Sequence, residues 1–116
     1  MLSPHAVQAA IEQELERLES LVVGLSVAYD ADAEAEIAWK AKRAAVRIEA
    51  RRNAEPGSRL PADYFEDVAQ RDTADEYAAH LRARAKLQTL RESRTISESR
   101  LNALRTLSAG YRAVGA

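Results

Sequence analysis

Apolar residues recur at heptad spacing near the start of this chain, and no other feature restricts its fold as strongly. From the eleventh residue they follow one another in steps of four and three: Ile11, Leu15, Leu18, Val22, Leu25 and Tyr29. This spacing places side chains along one side of an α-helix, at the a and d positions of a coiled coil. Because Val7, Leu21 and Ala28 flank the stripe, it is wide enough for the core of a helical bundle.

The first helix has a clear start and an interrupted middle. Ser3 followed by Pro4 is typical of an N-cap and a first helical position, so a helix should begin near residue 4. The apolar repeat stops in the acidic residues 30–36 and then resumes as Ile37, Ala41, Ala44 and Ile48. The helix either continues through the acidic stretch with a skip in register or breaks near Asp30. We favour a continuous helix that reaches about residue 53.

The resumed part of this helix is apolar on more than one side. Trp39 and Val46 lie seven residues apart, on roughly the opposite side from Ile37. We therefore expect this half of the helix to contact more than one neighbour.

Residues 53–72 are the predicted loop and tip, because two prolines and a glycine interrupt the helical pattern there. A short helix within this tip could hold Tyr64, Phe65 and Val68. The tip residues Leu60, Tyr64 and Phe65 have two interpretations for function. They either cap the apolar core or form a docking site for a protein partner.

A last helix over about residues 73–113 follows the tip. Thr73 and Glu76 have the spacing of a capping box, in which each side chain bonds the other's backbone amide. Heptad positions along this helix are only partly apolar: Leu87, Leu90, Arg94, Ser97, Leu101, Leu104, Ser108 and Tyr111. Arg94 and Ser97 stand where apolar residues are due, so the apolar repeat of this helix is also interrupted in its middle.

Composition supports helices and removes several classes of function. Alanine, leucine, glutamate and arginine dominate, and no run of alternating β-branched residues is long enough for a strand. The absence of cysteine removes disulfides, thiolate nucleophiles and thiolate zinc sites. We recognise neither a membrane-spanning run nor a signal peptide. For a chain of 116 residues we expect a single helical domain, soluble and cytoplasmic.

Charge alternates along the chain although the net charge is only −1. Residues 1–36 carry −7, residues 37–59 carry +5, residues 60–80 carry −5 and residues 81–116 carry +6. If the two long helices fold back on each other, each quarter meets a quarter of opposite sign. We predict an antiparallel register in which facing residue numbers add to about 125. This register would place the acidic residues 30–36 opposite Arg91, Arg94 and Arg100.

The predicted fold is therefore all-α: a long antiparallel helical hairpin, similar to a coiled coil. One hairpin cannot bury stripes this broad, so we expect hairpins to associate as a four-helix bundle, with a dimer as the simplest homo-oligomer. The predicted self-association core comprises Ile11, Leu15, Leu18, Val22, Leu25, Trp39, Leu101, Leu104, Leu107 and Tyr111.

The sequence offers little for catalysis or for a cofactor. It contains no glycine-rich phosphate loop, no nucleophile elbow and no metalloprotease motif. Asp72, Glu76 and His80 are spaced to share one helical face and could hold a metal, but helix capping and a place on the flank of a bundle explain them more simply. We expect a protein that is not an enzyme and that needs no metal or cofactor.

Two arginine-rich segments make nucleic acid a candidate partner. The candidate phosphate contacts are Arg43, Arg47, Arg51, Arg52, Arg82, Arg84, Lys86, Arg91 and Arg94. The alternative is that acidic residues of the same chain pair with them, because the charge pattern supplies most of them with an internal partner. We favour internal pairing, and with it a non-catalytic interaction or assembly module that binds a protein.

Several stretches together resemble small helical proteins encoded by tailed bacteriophages, notably those of actinobacteria. They are the leucine-rich first helix, WKAKRAAVRIEARR, the EPGS turn, ARAKLQTLRESR and SRLNALRTLSAGYRA. The functions of such phage proteins are mostly unassigned, and some are encoded near recombination or replication genes. The resemblance implies an accessory role in phage DNA metabolism or host interaction, and it makes a DNA-binding accessory protein the second candidate.

Overall fold

The computed structural model describes residues 3–57 and 59–115, and within them the chain forms three α-helices and no strand. Helix α1 spans Pro4–Asn53, α2 spans Ala62–Asp72 and α3 spans Ala74–Gly115. The predicted all-α class is confirmed.

Contacts divide the chain into two compact units. The first unit joins Met1–Val27 to Leu87–Ala116, and the second unit is Ala28–Lys86. Helices α1 and α3 contribute a segment to each unit, whereas α2 belongs to the second alone.

The start of α1 is as the sequence predicts. The Ser3 hydroxyl accepts a hydrogen bond from the amide of Ala6 at 3.1 Å and so caps the first turn. The helix then continues through Asp30 to Asn53 without a break. Alanines alternate with the acidic residues of this stretch, and because alanine has the highest helix propensity the helix stays intact.

The inward positions of α1 differ from the predicted stripe at every second step. In the first unit they are Val7, Ile11, Glu14, Leu18, Leu21 and Leu25, again in steps of four and three. Leu15 and Val22, which the sequence places on the inner stripe, are 40% and 55% exposed. Both stripes satisfy heptad spacing, so contacts with α3 decide between them.

The described core of the first unit is small. One buried cluster and the side chains packed against it are Val7, Ile11, Leu18, Leu101, Leu104 and Tyr111. Leu25 and Leu87 are also buried in this unit. A fully buried aliphatic side chain contributes roughly 1.5–3 kcal/mol. With so few of them, the loss of any one should be felt in the stability of the unit.

The chain reverses direction in the second unit at Pro56 and Gly57. Gly57 has a φ of 86°, in the left-handed region that glycine adopts without strain. After the turn, α2 packs beside α1, where Glu66 pairs with Arg47 and, at 3.1 Å, with Arg43. The segment predicted as a loop and tip therefore includes a helix that already lies against α1.

The predicted antiparallel register is wrong by about ten residues. Facing residue numbers add to 111 for Glu14 and Ser97 in the first unit, and to 116 for Trp39 and Tyr77 in the second. The prediction placed the reversal in the middle of residues 53–72. Because the chain reverses earlier, each residue of α1 meets an earlier residue of α3 than expected.

Candidate interaction surfaces

The residues predicted for a self-association core are divided between inner and outer faces. The buried or half-buried members are Ile11, Leu18, Leu25, Trp39, Leu101, Leu104 and Tyr111. The exposed members are Leu15, Val22 and Leu107. Most of the set therefore packs within a unit, and self-association through the rest stays a prediction.

The first unit holds a carboxylate in its interior. Glu14 is 8% exposed, and it accepts a hydrogen bond of 2.5 Å from the hydroxyl of the buried Ser97. Nη1 of Arg17 lies 3.1 Å from the other carboxylate oxygen, and Nη1 of Arg100 lies 4.0 Å from it. A buried polar group costs free energy unless it is hydrogen-bonded, so this contact fixes the register of α1 against α3.

Sequence reasoning placed Ser97 on the inner stripe but missed Glu14. An acidic residue beside an apolar stripe is usually solvated, and nothing local marks this one as buried. The available signal was the serine at a heptad position where an apolar residue was due, since such a serine needs a polar partner on the facing helix.

The second unit also has polar side chains in its interior, where Asp32 lies beside the buried His80. Nδ1 of His80 is 3.8 Å from Oδ1 of Asp32, and Nε of Arg84 is 3.5 Å from the same oxygen. Nη2 of Arg84 is 3.6 Å from Glu36. All three distances are longer than a good hydrogen bond, and the contacts of Arg84 are ion pairs. The sequence predicted Arg91, Arg94 and Arg100 opposite these acidic residues, but the α3 residues that contact Asp32 are His80 and Arg84, at least about two helical turns earlier.

Trp39 is the centre of an aromatic stack in the second unit. Its ring centre lies 4.8 Å from that of Tyr77 and 5.5 Å from that of His80. The guanidinium of Arg43 lies 5.3 Å from the indole centre, where a cation–π interaction is favourable. This face of α1 is therefore the one that packs against α3.

Most of the candidate phosphate contacts interact with groups of the same chain. Those in ion pairs with acidic side chains are Arg43, Arg47, Arg84 and Arg94. The guanidinium of Arg51 lies 5.6 Å from the ring centre of Phe65, and Arg91 also has a partner. Those with neither an ion pair nor a ring contact among the described residues are Arg52, Arg82 and Lys86.

The predicted tip residues have different surroundings. Phe65 is half-buried, with its ring 5.5 Å from that of Tyr64 in an edge-to-face arrangement. Leu60 and Tyr64 are exposed and line an open groove between α1 and α2, together with Val46 and Val68. Packing is thus the role of Phe65, whereas Leu60 and Tyr64 are accessible to another molecule.

Asp72, Glu76 and His80 do not share one helical face. Helix α2 ends at Asp72, and Thr73 separates it from α3 and donates its hydroxyl hydrogen bond to a carbonyl of α2 at 2.6 Å. Glu76 pairs with Lys42, so these contacts replace the predicted capping box. Within the two described segments, no group of three or more acidic or histidine side chains is placed to hold a metal ion.

Two lysine–glutamate pairs lower the pKa of their carboxyl groups. The hydrogen bond from Lys42 lowers the pKa of Glu76 below its ordinary value, and the same bond raises the pKa of Lys42. A hydrogen bond from Lys40 at 2.8 Å lowers the pKa of Glu36. A lowered carboxyl pKa stabilises the fold above the unfolded pKa, and this contribution is lost as the pH falls through the folded pKa.

We expect Lys42→Met to return the pKa of Glu76 towards its ordinary value and to leave that of Glu36 low. Lys40→Met is the matched variant, and it should move the pKa of Glu36 alone. The measurement is an NMR titration of the carboxyl carbons. A Glu76 pKa that does not change when Lys42 is replaced would show that this pair does not form in solution.

A row of apolar side chains on α1 lies on the exposed surface of the second unit. Ile37, Ala41, Ala44 and Ile48, here called the outer seam, are all exposed and follow one another in steps of four, three and four. Ile37 is 68% exposed and Ile48 is 58% exposed. The sequence predicted this row as the continuation of the inner stripe, but the stack around Trp39 takes the inner face instead.

Comparison with known protein families, characterised proteins and solved structures finds no match for this chain. Among the helices of the described segments, none combines the length and apolarity needed to cross a membrane. A functional assignment therefore depends on the surfaces described above.

Proposed function

We propose that the chain is a non-catalytic helical assembly module whose partner is a second copy of itself. The main support is the number of large apolar side chains that remain exposed. Fourteen are exposed among the described residues, against seven buried apolar residues of which two are alanines. Packing within one chain therefore leaves apolar surface whose burial would favour association.

The exposed apolar residues also repeat along helix faces. The outer seam is one such row on α1. On α3, Ile96, Leu107 and Val114 are exposed and are separated by 11 and 7 residues, or about three and two helical turns, so they share a side of the helix. A repeat of this kind is typical of a helix that packs against another helix.

The assembly we propose is a dimer in which the two long helices of each copy form a four-helix bundle. This is the simplest closed assembly for such apolar rows. The resemblance to phage proteins supports the further proposal that this assembly serves as a phage accessory protein.

DNA binding is the second candidate, and it is favoured by the exposed basic residues Arg52, Arg82 and Lys86, which have no ion pair among the described residues. It has less support than self-association. Four of the nine candidate contacts already pair with carboxylates, and DNA would have to compete with those pairs.

Sedimentation velocity of the wild-type chain with labelled single-stranded and double-stranded DNA at low salt tests both candidates. We expect the protein to sediment faster than a single chain while the DNA stays free. Co-sedimentation of DNA that weakens steeply as salt is added would support the DNA-binding candidate instead, because phosphate contacts release counterions. A single-chain protein that leaves DNA free would refute both candidates.

A further inference from the structure

We propose that a second copy of the chain docks on the outer seam of α1, antiparallel to the first, about a twofold axis between Ala41 and Ala44. The proposal rests on the proposed self-association and adds to it the surface and the orientation. All of the residues concerned belong to the second unit.

The outer seam is complementary to itself when two copies meet antiparallel. Ile37 of one copy then lies opposite Ile48 of the other, and Ala41 lies opposite Ala44. The large side chains are at the two ends of the seam, and the small ones are at its centre. Alanines at the centre let the two helices approach closely, and the isoleucines then cover the ends.

Charges at one edge of the seam favour the same orientation. Glu34 and Arg52 are 18 residues apart, or about five helical turns, so they lie on the same edge of α1. Both are exposed, and neither forms an ion pair among the described residues. In the antiparallel arrangement Glu34 of each copy meets Arg52 of the other, which gives two ion pairs. In a parallel arrangement Glu34 of one copy and Arg52 of the other would stay about 27 Å apart along the axis, so neither ion pair could form.

The other edge of the seam carries basic residues that do not oppose this arrangement. Lys40 pairs with Glu36 at 2.8 Å, and Arg47 pairs with Glu66. Each therefore has a carboxylate partner in its own copy, and Arg47 shares Glu66 with Arg43. The charge preference of the seam comes from Glu34 and Arg52, and it selects the antiparallel orientation.

Single cysteines test the orientation directly, because the chain has none of its own. Ala41→Cys should form a disulfide-linked dimer under mild oxidation, since two copies of this position are offset by only three residues, about 4.5 Å along the axis. Ala44→Cys should behave in the same way. Ile37→Cys and Ile48→Cys should each fail to cross-link alone. In the antiparallel dimer the two copies of either position lie about 16 Å apart along the helix axis. A mixture of these two variants should cross-link.

Ala45→Cys is the matched control, because this exposed alanine is next to Ala44 but lies outside the seam. It should give little dimer. Cross-linking of Ile37→Cys and of Ile48→Cys alone would overturn the antiparallel orientation. If no seam cysteine cross-links more than the control while the wild-type chain still has the mass of an oligomer, the docking surface is wrong but self-association stands. A wild-type mass equal to one chain would remove both proposals.

Charge reversal provides a second test that does not depend on oxidation. Glu34→Arg and Arg52→Glu should each weaken self-association by about three- to tenfold, since each disturbs two exposed ion pairs. The double variant restores both pairs with their signs exchanged, so it should associate about as well as the wild type. If the double variant instead weakens self-association by the sum of the two single effects, Glu34 and Arg52 do not contact each other.

Discussion

Replacing Leu25 with alanine should lower the free energy of unfolding by about 2–5 kcal/mol, which is the usual cost of removing a buried leucine side chain. Leu25 is 5% exposed on the inner face of α1. The loss combines the transfer free energy of the removed atoms with the cavity that remains. Urea unfolding followed by circular dichroism measures it, with all variants at the same protein concentration because association contributes to apparent stability.

Leu15→Ala is the matched control, because it is the same substitution on the same helix and in the same unit. Leu15 is 40% exposed, so we expect a loss below about 1 kcal/mol. The heptad stripe of the sequence places both leucines on one face and predicts similar losses. Equal effects of the two variants would therefore contradict the inward positions in the structure.

We expect Ser97→Ala to lower the free energy of unfolding by about 1–3 kcal/mol, although it removes a single oxygen atom. The variant takes a hydrogen-bond donor from Glu14, whose carboxylate stays buried beside α3. The double variant Glu14→Met with Ser97→Ala should recover most of this loss, because replacing both partners of a buried polar pair by apolar groups is often close to neutral. A double-mutant cycle on the four proteins isolates the interaction.

Ser99→Ala is the control for that cycle, because Ser99 is an exposed serine of the same helix. It should change the free energy of unfolding by less than about 0.5 kcal/mol. If Ser97→Ala is as harmless as Ser99→Ala, the carboxylate of Glu14 does not depend on its hydroxyl partner, and the inner polar contact is not what fixes the register.

Features set by neighbouring residues could be read from the sequence. The cap at Ser3 needs only a hydroxyl three residues before an amide, and the turn at Gly57 needs only a residue that tolerates positive φ. The helical class follows from composition and periodicity in the same way. The unbroken course of α1 through Asp30 was the favoured alternative, and the alanines of that stretch explain it.

Features set by distant residues could not be read from the sequence alone. Heptad spacing does not say whether Glu14 or Leu15 faces inward, because both positions satisfy it. The choice depends on Ser97, more than 80 residues away. The antiparallel register failed for a related reason: it depends on where the chain reverses, and α2 had been assigned to the tip rather than to the packed part of the second unit.

The candidate surfaces also combine features that the sequence predicts with features that depend on distant residues. Charge alternation predicted that most arginines would have internal partners in the facing acidic quarter. Arg43 and Arg47 pair with Glu66 of residues 60–80, and Arg84 contacts Asp32 of residues 1–36, so these quarters meet although the register differs. The outer seam was visible as a row of apolar residues. Its outward direction was not, because it follows from the stack of Trp39 on Tyr77 and His80, which occupies the inner face.

The mass of the wild-type chain in solution tests self-association most directly. Static light scattering over a dilution series at micromolar concentrations gives it without a label or a variant. We predict a mass of twice that of one chain at the higher concentrations, falling towards a single chain on dilution. A mass equal to one chain throughout the series would contradict the proposal that the exposed apolar rows bind a second copy.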